Sequence, residues 1–313
     1  MATRHIWLTV ATLAVGAWAA VANAQSTVHL YIYDTHTGVV TQATAPMARN
    51  PYNASFSNNG KMLVHDLTDP VTGARQLLGV TDLTKGTTIS LGLVGDDAVW
   101  SPNGKYIAYH NWDDFFRDPN VPIVLNIVPA TGGTPMTVRT WGVQTSWSNN
   151  SRRLAFTDFF NGYIGTIGLD GTETRFDFAT LGNYEGYGCN PSYSPDGKLM
   201  VFESGAGYEN FEGCFWGAPK TLMLIPVNER GEPLGAAYPI TSGAYSASHP
   251  SFSNGGKTIV FSGNPGSGLG ERGLYTVSVY GGDPVLLFDR QGKGEWDPAY
   301  SKNGRYIVFS GEQ

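Results

Sequence analysis

The sequence predicts an all-β fold: one six-bladed β-propeller with four antiparallel strands per blade. Three observations carry the prediction. The composition suits turn-dense sheet, one segment recurs six times along the chain, and a strand pair is left over at each end of the array. The 313 residues include 40 Gly and 18 Pro, with 12% aromatic and only 15% charged residues. A hydrophobic content of 41% is too high for a disordered chain, and Gly does not recur at every third position as in collagen. A net charge of −6 without Lys/Arg runs argues against a nucleic-acid partner.

The N-terminus reads as an address. Arg4 and His5 precede an apolar stretch from Ile6 to Val21, and Ala22-Asn23-Ala24 supplies small residues for signal peptidase. This predicts a signal peptide over residues 1–24, with cleavage before Gln25. The apolar stretch falls short of the ~20 residues that span a bilayer. No transmembrane segment is expected after cleavage, and the mature chain, 25–313, is expected to be one domain, periplasmic or secreted. Export places the two cysteines, Cys189 and Cys214, in an oxidising space. A disulfide between them is expected, two buried thiols being the alternative.

The repeats come next. Phe56–Asp66, Trp100–Asn111, Trp147–Asp158, Tyr193–Ser204, Phe252–Gly263 and Tyr300–Gly311 share one pattern. An aromatic is followed by Ser, two turn residues, Gly (Ser151 in the third copy), a basic residue and an alternating apolar run. The aromatic ends one strand. Asn/Asp-Gly turns the chain because Gly accepts positive φ, and the apolar run with its β-branched and aromatic residues is the next strand. The basic residue is expected at the surface. Spacings of 44, 47, 46, 59 and 48 residues between the aromatics match the size of a WD-like propeller blade.

A second strand pair is expected between successive hairpins, over Gln76–Leu93, Ile123–Arg139, Tyr163–Phe178, Thr221–Ile240 and Gly273–Phe288. The sixth hairpin has no such pair after it. A pair without a hairpin begins at His29, so the N-terminal strands are expected to complete the last blade. That closure also removes a sheet edge that would invite pairing with other chains.

The Ser-Pro-Asp-Gly-Lys turn (Ser194–Lys198), with an aromatic before it and an apolar strand after it, resembles the propeller repeats of the TolB family. It is also similar to repeats in prolyl-oligopeptidase propellers and oligogalacturonate lyases. The resemblance covers the mature chain and only the propeller of TolB, without that family's N-terminal domain. It implies the fold; this repeat serves many activities. No Gly-x-Ser-x-Gly elbow accompanies it.

In a propeller, the loops entering the inner strand lie on the face opposite the Ser-Pro-Asp-Gly turns. The long segments Leu67–Arg75, Asn111–Pro122, Asp158–Gly162, Ser204–Lys220 and Ser262–Gly273 fall on that face, where function is expected. Four residues before each repeat Ser stand Asn53, Asp97, Gln144, Asn190, His249 and Asp297. All six are polar, and six-fold closure gathers them at the channel mouth. They are candidate ligand-binding residues; the bland alternative is that they cap strands and hold channel water. Trp112 with Asp113, and Tyr208 with Glu209 and Trp216, place aromatics beside carboxylates and suit sugar or peptide recognition. Imidazole donors at His65, His110 and His249 with the carboxylates of Asp97 and Asp297 suit a divalent metal ion, a satisfied surface or channel His being the alternative, and the resembling lyases use channel-mouth histidines with one. Glu203, Glu209 and Glu212 are expected to be solvated loop acids, an acid/base pair among them being the alternative.

No catalytic residues are expected, and the balance favours a binding protein over an enzyme. The leading function is an exported, monomeric, non-catalytic propeller presenting its long-loop face to a protein, peptide or glycan. The alternatives are a metal-assisted oligosaccharide lyase or hydrolase at the channel mouth, and a component of a Tol-like envelope complex. No cofactor is expected, a divalent metal ion being the exception considered.

Overall fold

The computed structural model describes residues 28–313 apart from 46, 70–76, 113, 114, 116, 117, 177–186, 206–219 and 266–271. The chain enters with β1 (Val28–Asp34) and β2 (Val40–Gln42). Blade one follows as β3 (Asn50–Phe56), β4 (Met62–Thr68), β5 (Leu77–Asp82) and β6 (Thr87–Val94). Blade two is β7 (Asp96–Trp100), β8 (Tyr106–Asn111), β9 (Val124–Pro129) and β10 (Met136–Thr140). Blade three is β11 (Gly142–Trp147), β12 (Arg153–Asp158), β13 (Ile164–Gly168) and β14 (Glu173–Arg175). Blade four is β15 (Cys189–Tyr193), β16 (Leu199–Ser204), β17 (Thr221–Pro226) and β18 (Tyr238–Pro239). Blade five is β19 (Ser248–Phe252), β20 (Thr258–Gly263), β21 (Gly273–Ser278) and β22 (Val285–Phe288). Blade six is β23 (Glu295–Tyr300) and β24 (Tyr306–Glu312), completed by β1 and β2 in the order β2-β1-β24-β23.

That closure is the one anticipated from the unpaired ends. β1 runs antiparallel to β24 from Val28 opposite Glu312 to Asp34 opposite Tyr306. An Arg305–Asp34 ion pair at 3.0 Å and a Thr35 hydroxyl donating to the Arg305 carbonyl at 2.9 Å fasten the seam. Inner strands β3, β7, β11, β15, β19 and β23 pack side by side, and β23 returns against β3.

The repeat sequence is explained by its turn. Ser57, Ser101, Ser148, Ser194 and Ser301 each donate a hydroxyl hydrogen bond to the Asn or Asp two residues on. That carboxamide or carboxylate accepts the N–H of the basic residue, as from Lys61 and Lys198. The Ser oxygen in turn accepts the N–H five residues on, as from Met62 and Leu199. In the fifth copy Gly255 cannot accept, and only the bond from the Thr258 N–H to the Ser253 hydroxyl remains. The basic residues Lys61, Lys105, Arg152, Lys198, Lys257 and Arg305 are exposed, as expected.

The apolar faces of adjacent blades meet to form the core. Val64, Leu78 and Val80 of blade one pack on Ala98, Ile107 and Tyr109 of blade two. Val201, Leu222 and Leu224 of blade four pack on Ile259, Phe261 and Val277 of blade five. Each sheet is thus apolar on both faces in its middle strands, which is why β4, β8, β12, β16 and β20 read as nearly continuous buried runs. No helix among the described residues is long and apolar enough to cross a membrane.

Candidate functional site: a ring of left-handed bulges around the axial channel

The six polar residues singled out by their spacing share one backbone conformation. Asn53, Asp97, Gln144, Asn190, His249 and Asp297 all have positive φ, between 48° and 55°. Each falls where the register between the two inner strands of its blade shifts, as between Tyr52 and Ser55 or between Cys189 and Ser192. They are therefore six copies of one β-bulge. Asn, Asp and His are enriched in this region; Gln is less common there. Repetition in every blade marks it as a designed feature that the surrounding structure holds in place.

The bulge turns six side chains to a common cavity of about 460 Å³ along the propeller axis. Below the ring the wall carries Ser55, Ser146, Ser192 and Ser251, and beyond them the anchor aromatics such as Trp147 and Tyr193. The described wall ends at turn residues including Asn58, Pro102, Asn149 and Lys302. The cavity thus extends toward the turn face, whereas the sequence pointed to the long-loop face. Lys302 reaches across this end from blade six, with Nζ 2.5 Å from the Asn58 carboxamide oxygen and 3.1 Å from the Pro102 carbonyl.

A second ring supports the first. Nine residues after each repeat Ser stand Asp66, His110, Thr157, Glu203, Ser262 and Ser310, all with no exposed surface. The Asn53 amide donates to Asp66 at 2.7 Å and the Asn190 amide to Glu203 at 2.6 Å. The bulge N–H groups cross between blades: Asp97 donates to Asp66 at 3.2 Å, Asn190 to the Gln144 side chain at 3.3 Å, and His249 to Glu203 at 2.6 Å. The sequence reading overlooked this column and placed Glu203 among solvated loop acids. Glu203 is instead wholly buried in β16 and paired with Lys220 Nζ at 2.8 Å. The signal was available as a repeat position that is polar in all six copies, inside otherwise apolar strands.

The two halves of the ring differ electrostatically. Around blades four to six, Lys220, Arg272 and His249 sit among Glu203 and Asp297, with His249 Nδ1 at 3.2 Å from Asp297. Burial alone would raise the Glu203 carboxyl, but Lys220 and His249 outweigh it and hold the group below its ordinary value. Burial raises Asp297, and His249 only partly offsets this. Around blades one and two, Asp66, Asp96 and Asp97 cluster, and burial together with the Asp96 charge pushes Asp66 and Asp97 well up.

The three candidate metal-binding histidines do not converge. His65 is buried, with Nε2 2.8 Å from the Thr81 hydroxyl and Nδ1 against the Asp66 carbonyl. Its side chain alternates with that of Asp66, so the two lie on opposite faces of the sheet, and Asp66 is the one bonded to the bulge residues Asn53 and Asp97. His249 is itself a bulge residue and lies beside Asp297, while His110 lies beside Asp97. Burial lowers both His65 and His110 to about 4.

Trp112 is half-buried in an aromatic cluster with Phe115, Trp141, Phe159 and Phe160, its ring edge-on to Phe159 at 5.2 Å and to His110 at 5.0 Å. It serves the packing of blades two and three. Asp113, Tyr208, Glu209 and Trp216 lie outside the described residues, as does the signal segment. Cys189 is buried at the start of β15, and its expected partner Cys214 lies outside the described residues.

Comparison with known proteins follows the fold. No family model matches the chain. Over 88 residues it is 32% identical to the Tol-Pal system protein TolB of Francisella tularensis subsp. holarctica, a match covering 26% of this chain and 19% of that protein. Among solved structures, a putative TolB from Agrobacterium tumefaciens superposes with a TM-score of 0.69 at 20% identity, covering 93% of this chain and 99% of that one. TolB from Acinetobacter baumannii gives 0.57 at 15% identity, over 91% and 63% of the two chains. An oligogalacturonate lyase in complex with manganese gives 0.54 at 16% identity, over 91% and 82%. In fold, the chain is a TolB-like six-bladed β-propeller.

Proposed function

We propose that this chain is an exported binding propeller of an envelope assembly of the Tol-Pal kind, and that its axial channel receives a segment of a protein partner from the turn face. The observation that carries the reading is the bulge ring, where every blade spends backbone strain to aim a polar group into one cavity. Asn53, Gln144 and Asn190 offer carboxamides, which both donate and accept and so match peptide groups. The hydroxyls of Ser55, Ser146, Ser192 and Ser251 and the anchor aromatics line the approach. The sequence match to a Tol-Pal protein supports a protein partner over a glycan.

A photo-crosslinking residue at Asn58 or Asn149, compared with one at exposed Asn120, tests this in cells of the source organism. A discrete protein adduct from the turn positions, suppressed by plugging the channel with Ser192→Trp, is expected. Adducts from Asn120 alone, or from no position, would overturn the channel reading. Export predicts a mature N-terminus at Gln25 by mass spectrometry. It also predicts a Cys189–Cys214 bond, seen as no titratable thiol in the denatured, unreduced protein; two thiols would exclude it.

A further inference from the structure

The turn-face mouth of the channel is built from one repeat position. The residue after each repeat Ser is Asn58, Pro102, Asn149, Pro195, Asn254 and Lys302, and all six line the cavity. Blades one, three and five supply carboxamides, and blades two and four supply prolines. Blade six supplies Lys302 where the alternation calls for a third proline. One residue of the six is charged, and none is an acid.

The ammonium of Lys302 lies across this mouth. It donates to the Asn58 carboxamide oxygen of the neighbouring blade and to the Pro102 carbonyl one blade further on. Both acceptors are neutral, and no carboxylate pairs with Lys302 among the described residues. Exposed Arg305, three positions on, differs in having Asp34 at 3.0 Å. A carboxylate adds the attraction of opposite charges to the hydrogen bond, and the flexible four-carbon stem of lysine can swing to meet one. An acid arriving at the mouth therefore competes successfully with the two neutral oxygens.

The deep end of the cavity carries the opposite sign. Asp97 and Asp297 line it in the bulge ring, five residues before Pro102 and Lys302 on the same inner strands. At the usual strand rise that is about 16 Å from the mouth. His249, the one imidazole of the ring, is already matched to Asp297 at 3.2 Å. An anionic group is repelled by these acids and attracted at the mouth, so the charge pattern fixes where along an inserted segment an acid sits.

We propose that Lys302 is a specificity-determining latch: the partner segment that enters the channel carries an aspartate or glutamate side chain at the mouth, and Lys302 leaves Asn58 and Pro102 to pair with it. The carboxamides of Asn149 and Asn254 are further donors at the same level. A segment with a basic residue at that point meets an uncompensated ammonium and is rejected. The latch rests on the channel reading given above and adds the charge of the partner to it.

The test selects displayed random heptapeptides, joined to their carrier through the C-terminus so that only side chains offer carboxylates. They are selected on the mature chain and on its Lys302→Glu and Ser192→Trp variants. Peptides taken by the parent should share Asp or Glu at one position. Those taken by Lys302→Glu should carry Lys or Arg there, and the plugged Ser192→Trp should bind neither set. A parent-selected peptide should bind about tenfold more weakly to Lys302→Met, and its acid-to-amide analogue should bind the parent about tenfold more weakly. The two changes together should cost no more than one of them, as a direct pair requires. Peptides that need the open channel but show no acidic preference, or the same preference on Lys302→Glu, overturn the latch and leave the channel reading standing. Additive losses from the two changes overturn the latch as well. Peptides that bind the plugged variant equally, or no selected peptide at all, overturn the channel reading and the latch with it.

Discussion

At the scale of single residues, the chain places unusual groups where the fold demands them. Asn190 shows why. Its φ of 48° favours Gly, and its side chain is also needed, because the amide donates to Glu203. Asn190→Gly should lose only the hydrogen bond, whereas Asn190→Ala loses the bond and keeps the strain. The Ala variant is expected to be less stable than the Gly variant by about 1 kcal/mol in urea denaturation; equal stability would remove strain from the account. Glu203 and Lys220 pose a different case. Truncating Lys220 leaves a buried charge unpaired, so Lys220→Met should cost about 3 kcal/mol. The Glu203 carboxyl is held below its ordinary 4.5 in the folded chain. Its contribution is therefore complete above that value and is lost as the pH falls below it. The gap between parent and Lys220→Met should close on acidification; a pH-independent gap would mean that the loss is one of packing. The bulge ring was legible in the sequence as a polar column. Its left-handed backbone was not, since a column that includes Gln144 is a poor predictor of positive φ.

At the scale of elements, the repeat turn does two jobs. It closes a hairpin, and it touches the neighbouring blade. Gly60 and Gly197 occupy the same turn position with φ of 69° and 71°. A Cβ at Gly60 meets nothing within 4 Å, whereas one at Gly197 falls 2.8 Å from the Asn149 side chain of the preceding blade. Gly60→Ala should cost about 1 kcal/mol through backbone strain alone, and Gly197→Ala should cost more. Equal losses in denaturant midpoint would show that Asn149 moves aside freely. Ser151, which replaces Gly in blade three, has φ of 59° and accepts the Asn103 N–H at 3.0 Å from blade two. The exception to the repeat is thus an inter-blade tether. The hairpins could be read from composition because turn chemistry is local. The inter-blade contacts of the turns could not, because they join residues some 48 positions apart.

At the scale of the whole molecule, closure is what makes six blades one unit. Removing residues 25–44 deletes both outer strands of blade six, exposing the β24 edge and the faces of Val308 and Phe309. The truncated chain is expected to aggregate and to lose its cooperative thermal transition. A soluble truncation with the parent's transition in calorimetry would show that closure is dispensable. The expectation of closure came from counting strand pairs, and the sheet order β2-β1-β24-β23 matches it. Counting did not reveal the interior. The repeat position nine residues after each Ser reads as the end of an apolar strand, so Glu203 looked like a loop acid and His65 and His110 looked equivalent.

The sequence by itself determined the blade number, the hairpins, the six-residue ring and the closing strands, because each depends on local periodicity and on the pairing of strands next to one another in the repeat. The tertiary structure alone decided which way the channel cavity extends, which of two adjacent residues such as His65 and Asp66 faces the ring, and which buried charges share a partner. Those depend on the twist and bulge of strands from different blades, which bring Asp66, Asp96 and Asp97 together although nothing in their spacing distinguishes that corner from the one where Lys220 neutralises Glu203.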